Sequence, residues 1–277
     1  MTTRGKKRLV GAITGIGLLV FVVVQLMPFY VAVTTALKPK TDLSSQWLPP
    51  LAGVYWGNFV TAIDQGDILR AIGNSVVVTT VSTLLVCLLG AMAAYPLARR
   101  PSPVNKSLMF LIIGALMIPP LSILVPLYTM MNQLHAVNTL WGIVLIMVTG
   151  QLPLSIFLYA SFLRTIPFTL EEAATVDGAN TMQVLFRIVF PLLKPVTATV
   201  VIISGVFIWN EYQLSLYMLT TSDTRTIAPA ISAFFSQYSS NLGAAAAASL
   251  MGMMPVLIAY LFLQKYFIKG MVAGSER

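Results

Sequence analysis

Long apolar runs alternate with short polar connections along this chain, and six of the runs reach the length that a bilayer requires. Read as spans, they cover residues 9–37, 75–97, 107–131, 140–163, 196–219 and 244–267. A helix rises about 1.5 Å per residue, so roughly 20 apolar residues cross a hydrocarbon core about 30 Å thick. Helix is the expected state, because a span must satisfy its own backbone N–H and C=O groups where no water reaches. The sequence therefore predicts an all-α integral membrane protein with six transmembrane helices. The first run follows Arg4, Lys6, Lys7 and Arg8 and so begins like a signal peptide. It is too long for that, lacks a small-residue cleavage site and precedes further spans, so it is read as a retained helix, kinked at Pro28. Pro119, Pro120 and Pro126 predict a bend in the third span.

Three polar stretches interrupt the pattern. Residues 38–73 are rich in proline and aromatics, and predict an interfacial helix over residues 58–71 with Trp56 and Phe59 near the lipid head groups. Residues 220–243 predict a polar loop. The third stretch, from Glu171 to Pro195, reads EEAATVDGANTMQVLFRIVFPLLKP and organises the chain. Thr169 with Glu172 fits a capping box that starts a first short helix over residues 170–177. Gly178 supplies a left-handed stop, and Asn180 with Gln183 caps a second helix that ends at Pro191. Met182, Leu185 and Val189 share one face of that helix, while Gln183 and Arg187 share another. Taken alone, this helix-turn-helix over residues 168–191 reads as a capped amphipathic loop between two spans in preference to a docking element. A DNA-reading helix-turn-helix is the other generic option, and spans on both sides argue against it.

Composition sharpens the class and the orientation. The 277 residues are 57% hydrophobic and only 9% charged, with a mean hydropathy of +0.84, far from a soluble domain. The net charge of +8 points to nucleic acid or to a membrane face, and the placement of the basic residues decides. With the N-terminus in the cytoplasm, Arg4, Lys6, Lys7, Arg8, Arg99, Arg100, Lys106, Arg164, Arg187, Lys194, Lys265, Lys269 and Arg277 lie inside, and only Lys38, Lys40, Arg70 and Arg225 lie outside. This asymmetry predicts both termini and the 168–191 hairpin in the cytoplasm.

The chemistry that is missing narrows the function. No G-x-x-x-x-G-K-[ST] loop occurs, so any ATP that drives this chain is bound by another subunit. Cys87 is a lone cysteine in an apolar run and is expected as a small buried hydrophobe. His135 stands alone in a loop and is expected to be solvated, so neither a metal site nor a hydrolase is indicated. Glu211, in WNEYQ, is the one acidic residue deep in an apparent span, about 24 Å along the helix from Pro195. With Trp209 and Asn210 it is a candidate for a solute path, and a structural role fits it equally.

The spacing Glu172-Ala173-Ala174, Gly178, Ile188, Pro191 resembles the EAA loop of the membrane subunits of ATP-binding-cassette importers, whose pattern is E-A-A, three residues, G, nine residues, I-x-L-P. Phe190 stands where the pattern has leucine and keeps its apolar character. Asn58-Phe59, Asn74-Ser75, GAMAAYPLARR, WNEYQLSL and QKYFIKGMVAG extend the likeness over nearly the whole chain, toward the shorter permease subunit of maltose-type carbohydrate importers.

The resemblance implies a type I importer permease in a prokaryotic plasma (inner) membrane, forming half of a translocation path for a sugar or oligosaccharide. Its hairpin would be the coupling helix, with Glu171, Glu172, Ala173, Ala174, Asp177, Gly178, Ile188 and Pro191 as the coupling residues. The resemblance further implies a second homologous permease, a cytoplasmic ATPase dimer that binds ATP and Mg, and an extracytoplasmic solute-binding protein, with no cofactor on this chain. Phe234, Phe235, Gln237 and Tyr238 are then candidate contacts for the binding protein, or interfacial anchors. The rival functions are a stand-alone secondary carrier, a non-transporting scaffold and a permease for a non-sugar solute.

Overall fold

The structure is a computed structural model that describes residues 3–51, 53–236 and 241–275. Helix is the only regular secondary structure among the described residues. The chain divides into two compact units, Met1–Ile68 with Ile231–Met254, and Leu69–Ala230 with Pro255–Arg277.

In the first unit, α1 (Thr3–Ala36) carries the first apolar run. The most apolar stretch of its candidate span, Ile13–Ala36, buries nothing within the chain, and only the C-terminal end, with Thr34 and Ala36, is covered. A helix that is apolar all round and uncovered by its own chain is suited to lipid or to neighbouring subunits. Its C-terminal end is tied to the loop that follows. Thr34 Oγ1 donates to Gln46 O at 2.6 Å, and Lys38 Nζ donates to Ser44 Oγ at 2.8 Å and Ser45 O at 2.7 Å. Asn58, buried in α2 (Gly57–Asp64), donates to Ala36 O at 2.9 Å and Lys38 O at 2.7 Å. It thereby satisfies carbonyls that the end of α1 leaves open.

The interfacial helix expected over residues 58–71 is shorter than that. α2 stops at Asp64 and α3 (Ile68–Arg99) starts four residues on. Asp67 between them adopts φ 48°, a left-handed conformation that no helix continues through. The polar loop expected over residues 220–243 holds a helix, α12 (Ile227–Ser236), because IAPAISAFF is apolar enough to bury one face. Phe234 is 0% exposed. In α13 (Leu242–Ser275), Ala244, Ala245, Ala247 and Ala248 are all buried; such small residues let helices approach closely.

The second unit is built on α3, α6 (Leu140–Leu163) and α10 (Lys194–Trp209). Val86, Ala91, Tyr159, Leu163, Leu193 and Val200 share its core. Gly90 brings α3 against α6, since a Cβ there would run into Ser155 Oγ. Tyr159 donates to Thr197 Oγ1 at 3.1 Å. α6 coincides with the expected fourth span, and Thr139 caps it by accepting from Gly142 N at 3.1 Å.

The third apolar run departs from a single bent span. α4 (Pro103–Ala115) and the segment Pro120–Gln133, which contains α5 (Leu124–Gln133), meet at 96°. Pro120 forces Pro119 into extended backbone at ψ 130°, which breaks the helix instead of merely bending it. The fifth run is likewise interrupted. α10 ends at Trp209 and a separate helix, α11 (Gln213–Met218), follows. Among the described residues, four helices are long and apolar enough to cross a membrane, or up to six if each of two bent pairs, Pro103–Ala115 with Pro120–Gln133 and Thr181–Leu192 with Lys194–Trp209, counts as one span.

Candidate coupling site

The hairpin begins with α7 (Thr169–Val176) and continues through α8 (Thr181–Gln183), a π-helical segment Val184–Val189 and α9 (Phe190–Leu192). Its two ends are made differently. The expected box at Thr169 does not form: Phe168 is the N-cap residue, no side chain caps α7, and Thr169 is already helical. The box at Asn180 forms in full. Gln183 N donates to Asn180 Oδ1 and Asn180 N donates to Gln183 Oε1, each at 2.9 Å. Between the helices Gly178 adopts φ 88°, the left-handed conformation that suits glycine.

Pro191 does not stop the second helix. It lacks the N–H that would bond the Arg187 carbonyl, and the turn just before it widens into the π segment, after which the helix runs to Leu192. The wider winding moves the apolar face. Val184, Leu185 and Val189 are buried in the unit's core, while Met182, expected beside Leu185 and Val189, is 57% exposed. The Phe186 and Phe190 rings stack with centroids 5.4 Å apart.

The two adjacent glutamates separate completely. Glu171 is buried at 3% exposure. Arg99 Nε donates to its Oε1 at 2.7 Å, Arg99 Nη2 lies 2.6 Å from the same oxygen, and Tyr95 donates to Oε2 at 2.7 Å. Arg99 Nη1 also donates to Ile166 O at 3.1 Å, and its guanidinium lies 5.7 Å from the Phe168 ring centroid. One turn of α3, bearing Tyr95 and Arg99 four residues apart, thus grips the first turn of α7. Arg99 and Tyr95 are the residues that sequence reasoning missed. The only signal is their i, i+4 spacing at the end of GAMAAYPLARR, which names no partner.

Glu172, Ala173, Asp177 and Gly178 are exposed, and Ala174 packs partly against the core. Val176 is 86% exposed beside them, an apolar contribution that the sequence does not single out. Ile188 is half-buried and Pro191 exposed. The hairpin therefore has one face in the unit's core, while the other offers an acid, small residues and apolar side chains.

The solute-path candidates lie at the break between α10 and α11. Glu211 is 9% exposed. Its Oε1 accepts from Leu214 N at 2.7 Å, and its Oε2 accepts from Ser215 N at 2.9 Å and Ser215 Oγ at 2.6 Å. The carboxylate therefore closes the first turn of α11, where negative charge is favoured. Asn210 is exposed and Trp209 half-buried. Glu211→Gln is expected to cost about 1–3 kcal/mol of stability, measured as a lower unfolding midpoint, with transport per folded complex retained. Lost transport at unchanged stability would put Glu211 on the solute path instead. Of the binding-protein candidates, Phe234 is buried beneath Gly66, where an added Cβ would strike its ring. That removes it from the surface and leaves Phe235, 53% exposed. Gln237 and Tyr238 lie outside the described residues.

The family model described as "Binding-protein-dependent transport system inner membrane component" matches residues 86–272, which include the whole hairpin. The melibiose/raffinose/stachyose import permease MelC of Bacillus subtilis is 44% identical over 252 residues, covering 91% of each chain. The trehalose transport system permease SugB of Mycobacterium tuberculosis is 30% identical, covering 91% of this chain and 92% of its own. In fold, the chain matches a chain of a bacterial ABC transporter involved in the import of the acidic polysaccharide alginate. The TM-score is 0.78 at 20% identity, over 95% of this chain and 98% of the other. A phosphate loop is absent from the sequence, a hairpin with a left-handed glycine stands between apolar helices, and both halves of the chain are matched: the protein belongs to the inner membrane components of binding-protein-dependent transport systems, the permease subunits of ATP-binding-cassette importers.

Proposed function

We propose that this chain forms one half of the translocation path of a carbohydrate importer and is driven through its hairpin by a separate ATPase. The observation that carries the reading is the division of labour at Glu171 and Glu172. The first is locked inside the chain and the second is presented with Ala173, Val176, Asp177 and Gly178 on an exposed face. The partners that fit are a second homologous permease, two ATPase subunits holding ATP and Mg, and an extracytoplasmic binding protein. Oligosaccharide and disaccharide permeases among its relatives support a sugar as the solute. The asymmetric distribution of basic residues supports six spans with both termini, and the hairpin, in the cytoplasm.

In this reading ATP closes the ATPase dimer, the docked hairpin moves with it, and the helices packed on Val184, Leu185 and Val189 follow. ATP drives the cycle only if it favours one access state over the other. The break at Asn210 is the place in the fifth apolar run where backbone is left non-helical, as expected where a span lines a cavity.

The test is reconstitution in proteoliposomes. The complete complex is expected to take up sugar only with ATP, and the Glu172→Lys variant to insert normally while losing about 100-fold of coupled uptake. Uptake by this chain alone, or normal uptake by the variant, would contradict the docking role.

A further inference from the structure

The tandem Arg99-Arg100 splits as the two glutamates do. Arg99 turns inward to Glu171, whereas Arg100 lines a separate open cleft of about 380 Å³ on the second unit, together with Lys106 and Arg164. These three cations come from the end of α3, the first turn of α4 and the residue after α6. No acidic residue lines the cleft, and none of the three side chains makes a hydrogen bond or ion pair among the described residues. Among the described residues, no acidic side chain pairs with any of them, so their mutual repulsion favours an external anion.

Apart from Ser102 and Asn105, the rest of the cleft is apolar. Met109, Phe110 and Ile113 form one wall along α4, and Phe110 is 77% exposed. The cleft thus joins a three-cation mouth to an apolar wall that continues up a helix of the third apolar run. A soluble anion needs only the first of these features. A molecule with an anionic head and acyl chains uses both, and it meets the protein at the depth where such a mouth lies, at the end of a span.

We propose that this cleft is a binding site for an anionic phospholipid. Its phosphate is held by Arg100, Lys106 and Arg164, and a chain lies along Met109, Phe110 and Ile113. The guanidinium groups provide paired donors for phosphate oxygens, and the exposed N-terminal end of α4 adds a favourable dipole. The bound lipid would neutralise the mouth beside the Arg99–Glu171 strut without touching the docking face of the hairpin.

The proposal is tested on the purified full-length chain in detergent, by native mass spectrometry with phosphatidylglycerol and phosphatidylcholine. The result does not depend on sidedness or on coupling, so its failure leaves the importer reading intact. The wild-type chain is expected to retain phosphatidylglycerol preferentially. Each cation is expected to contribute about fivefold, so the R100Q/K106Q/R164Q variant loses retention by about 100-fold. The charge-conserving R100K/R164K variant is expected to stay within about tenfold of wild type, which separates loss of charge from loss of fold. Equal retention of the two lipids, or an unchanged preference in the triple variant, would overturn the site. Displacement of the lipid by equimolar inorganic phosphate would also overturn it, by making the ligand a soluble anion.

Discussion

Replacing Gly178 by Asp is expected to abolish coupled uptake while leaving the chain folded and inserted. The position has two independent properties. Its φ of 88° disfavours any side chain with a Cβ, at a cost of about 1–2 kcal/mol, and an added Cβ would meet nothing within 4 Å inside the chain. The internal penalty is therefore one of backbone conformation alone, small beside the stability of a helical unit packed through Val184, Leu185 and Val189. What remains is the surface outside. A charged side chain between Asp177 and the exposed Val176 and Met182 faces whatever covers that surface. Desolvating it against a partner is expected to reduce coupled uptake by about 100-fold.

Two controls give this prediction its meaning. Gly178→Asn tolerates the left-handed backbone better than most residues and carries no charge, while Gly178→Ala keeps the smallest side chain. If both retain most uptake and Asp does not, the partner rejects the charge. If Ala fails as completely as Asp, the partner approaches the backbone itself. Equal uptake in all three, measured in proteoliposomes with the complete complex, would remove the hairpin tip from the docking surface.

How the hairpin could be read from sequence, and how it could not, follows from the range of the forces involved. The Asn180 box and the Gly178 stop are local devices spanning three or four residues, one made by neighbouring side chains and the other by backbone freedom, so sequence identifies them. Thr169 fails as a cap because the chain enters the helix one residue earlier, at Phe168, whose ring lies by Arg99. The outward turn of Met182 depends on π winding ahead of Pro191, a change of phase that an ideal 3.6-residue period does not contain. The helical state of the apolar runs was legible because a span must satisfy its own backbone groups, and α6 runs the whole of its expected range. The break at Asn210–Tyr212 was not, because the side chain that stabilises it is Glu211, and an intramembrane acid is ambiguous until its partners are seen. The α12 helix hid within a loop whose flanks are polar. The Arg99–Glu171 contact joins residues 72 positions apart, and only the packing of α3 against the hairpin creates it.

That contact carries the second large effect. Glu171→Ala leaves the Arg99 guanidinium buried beside Phe168 with its anion removed, and Arg99→Ala leaves the carboxylate in the same position with only Tyr95. Breaking one side of a buried pair costs about 3–5 kcal/mol, so either variant is expected to unfold at clearly lower denaturant and to lose coupled uptake. The R99L/E171L variant removes both charges and fills the volume with apolar side chains. A buried pair replaced in this way is often neutral or stabilising, so this variant is expected to regain most of the unfolding midpoint. Its transport then distinguishes two roles. If the pair only holds the hairpin in place, uptake returns with stability. If it is the strut through which movement of α7 reaches α3, stability returns while the ratio of sugar moved to ATP hydrolysed stays low, because a greasy contact slides where a hydrogen-bonded ion pair does not. We expect the second outcome, since Arg99 grips both Glu171 and the Ile166 carbonyl and so fixes the entry and the first turn of α7 at once. Full recovery of that ratio in R99L/E171L would reduce the pair to an anchor.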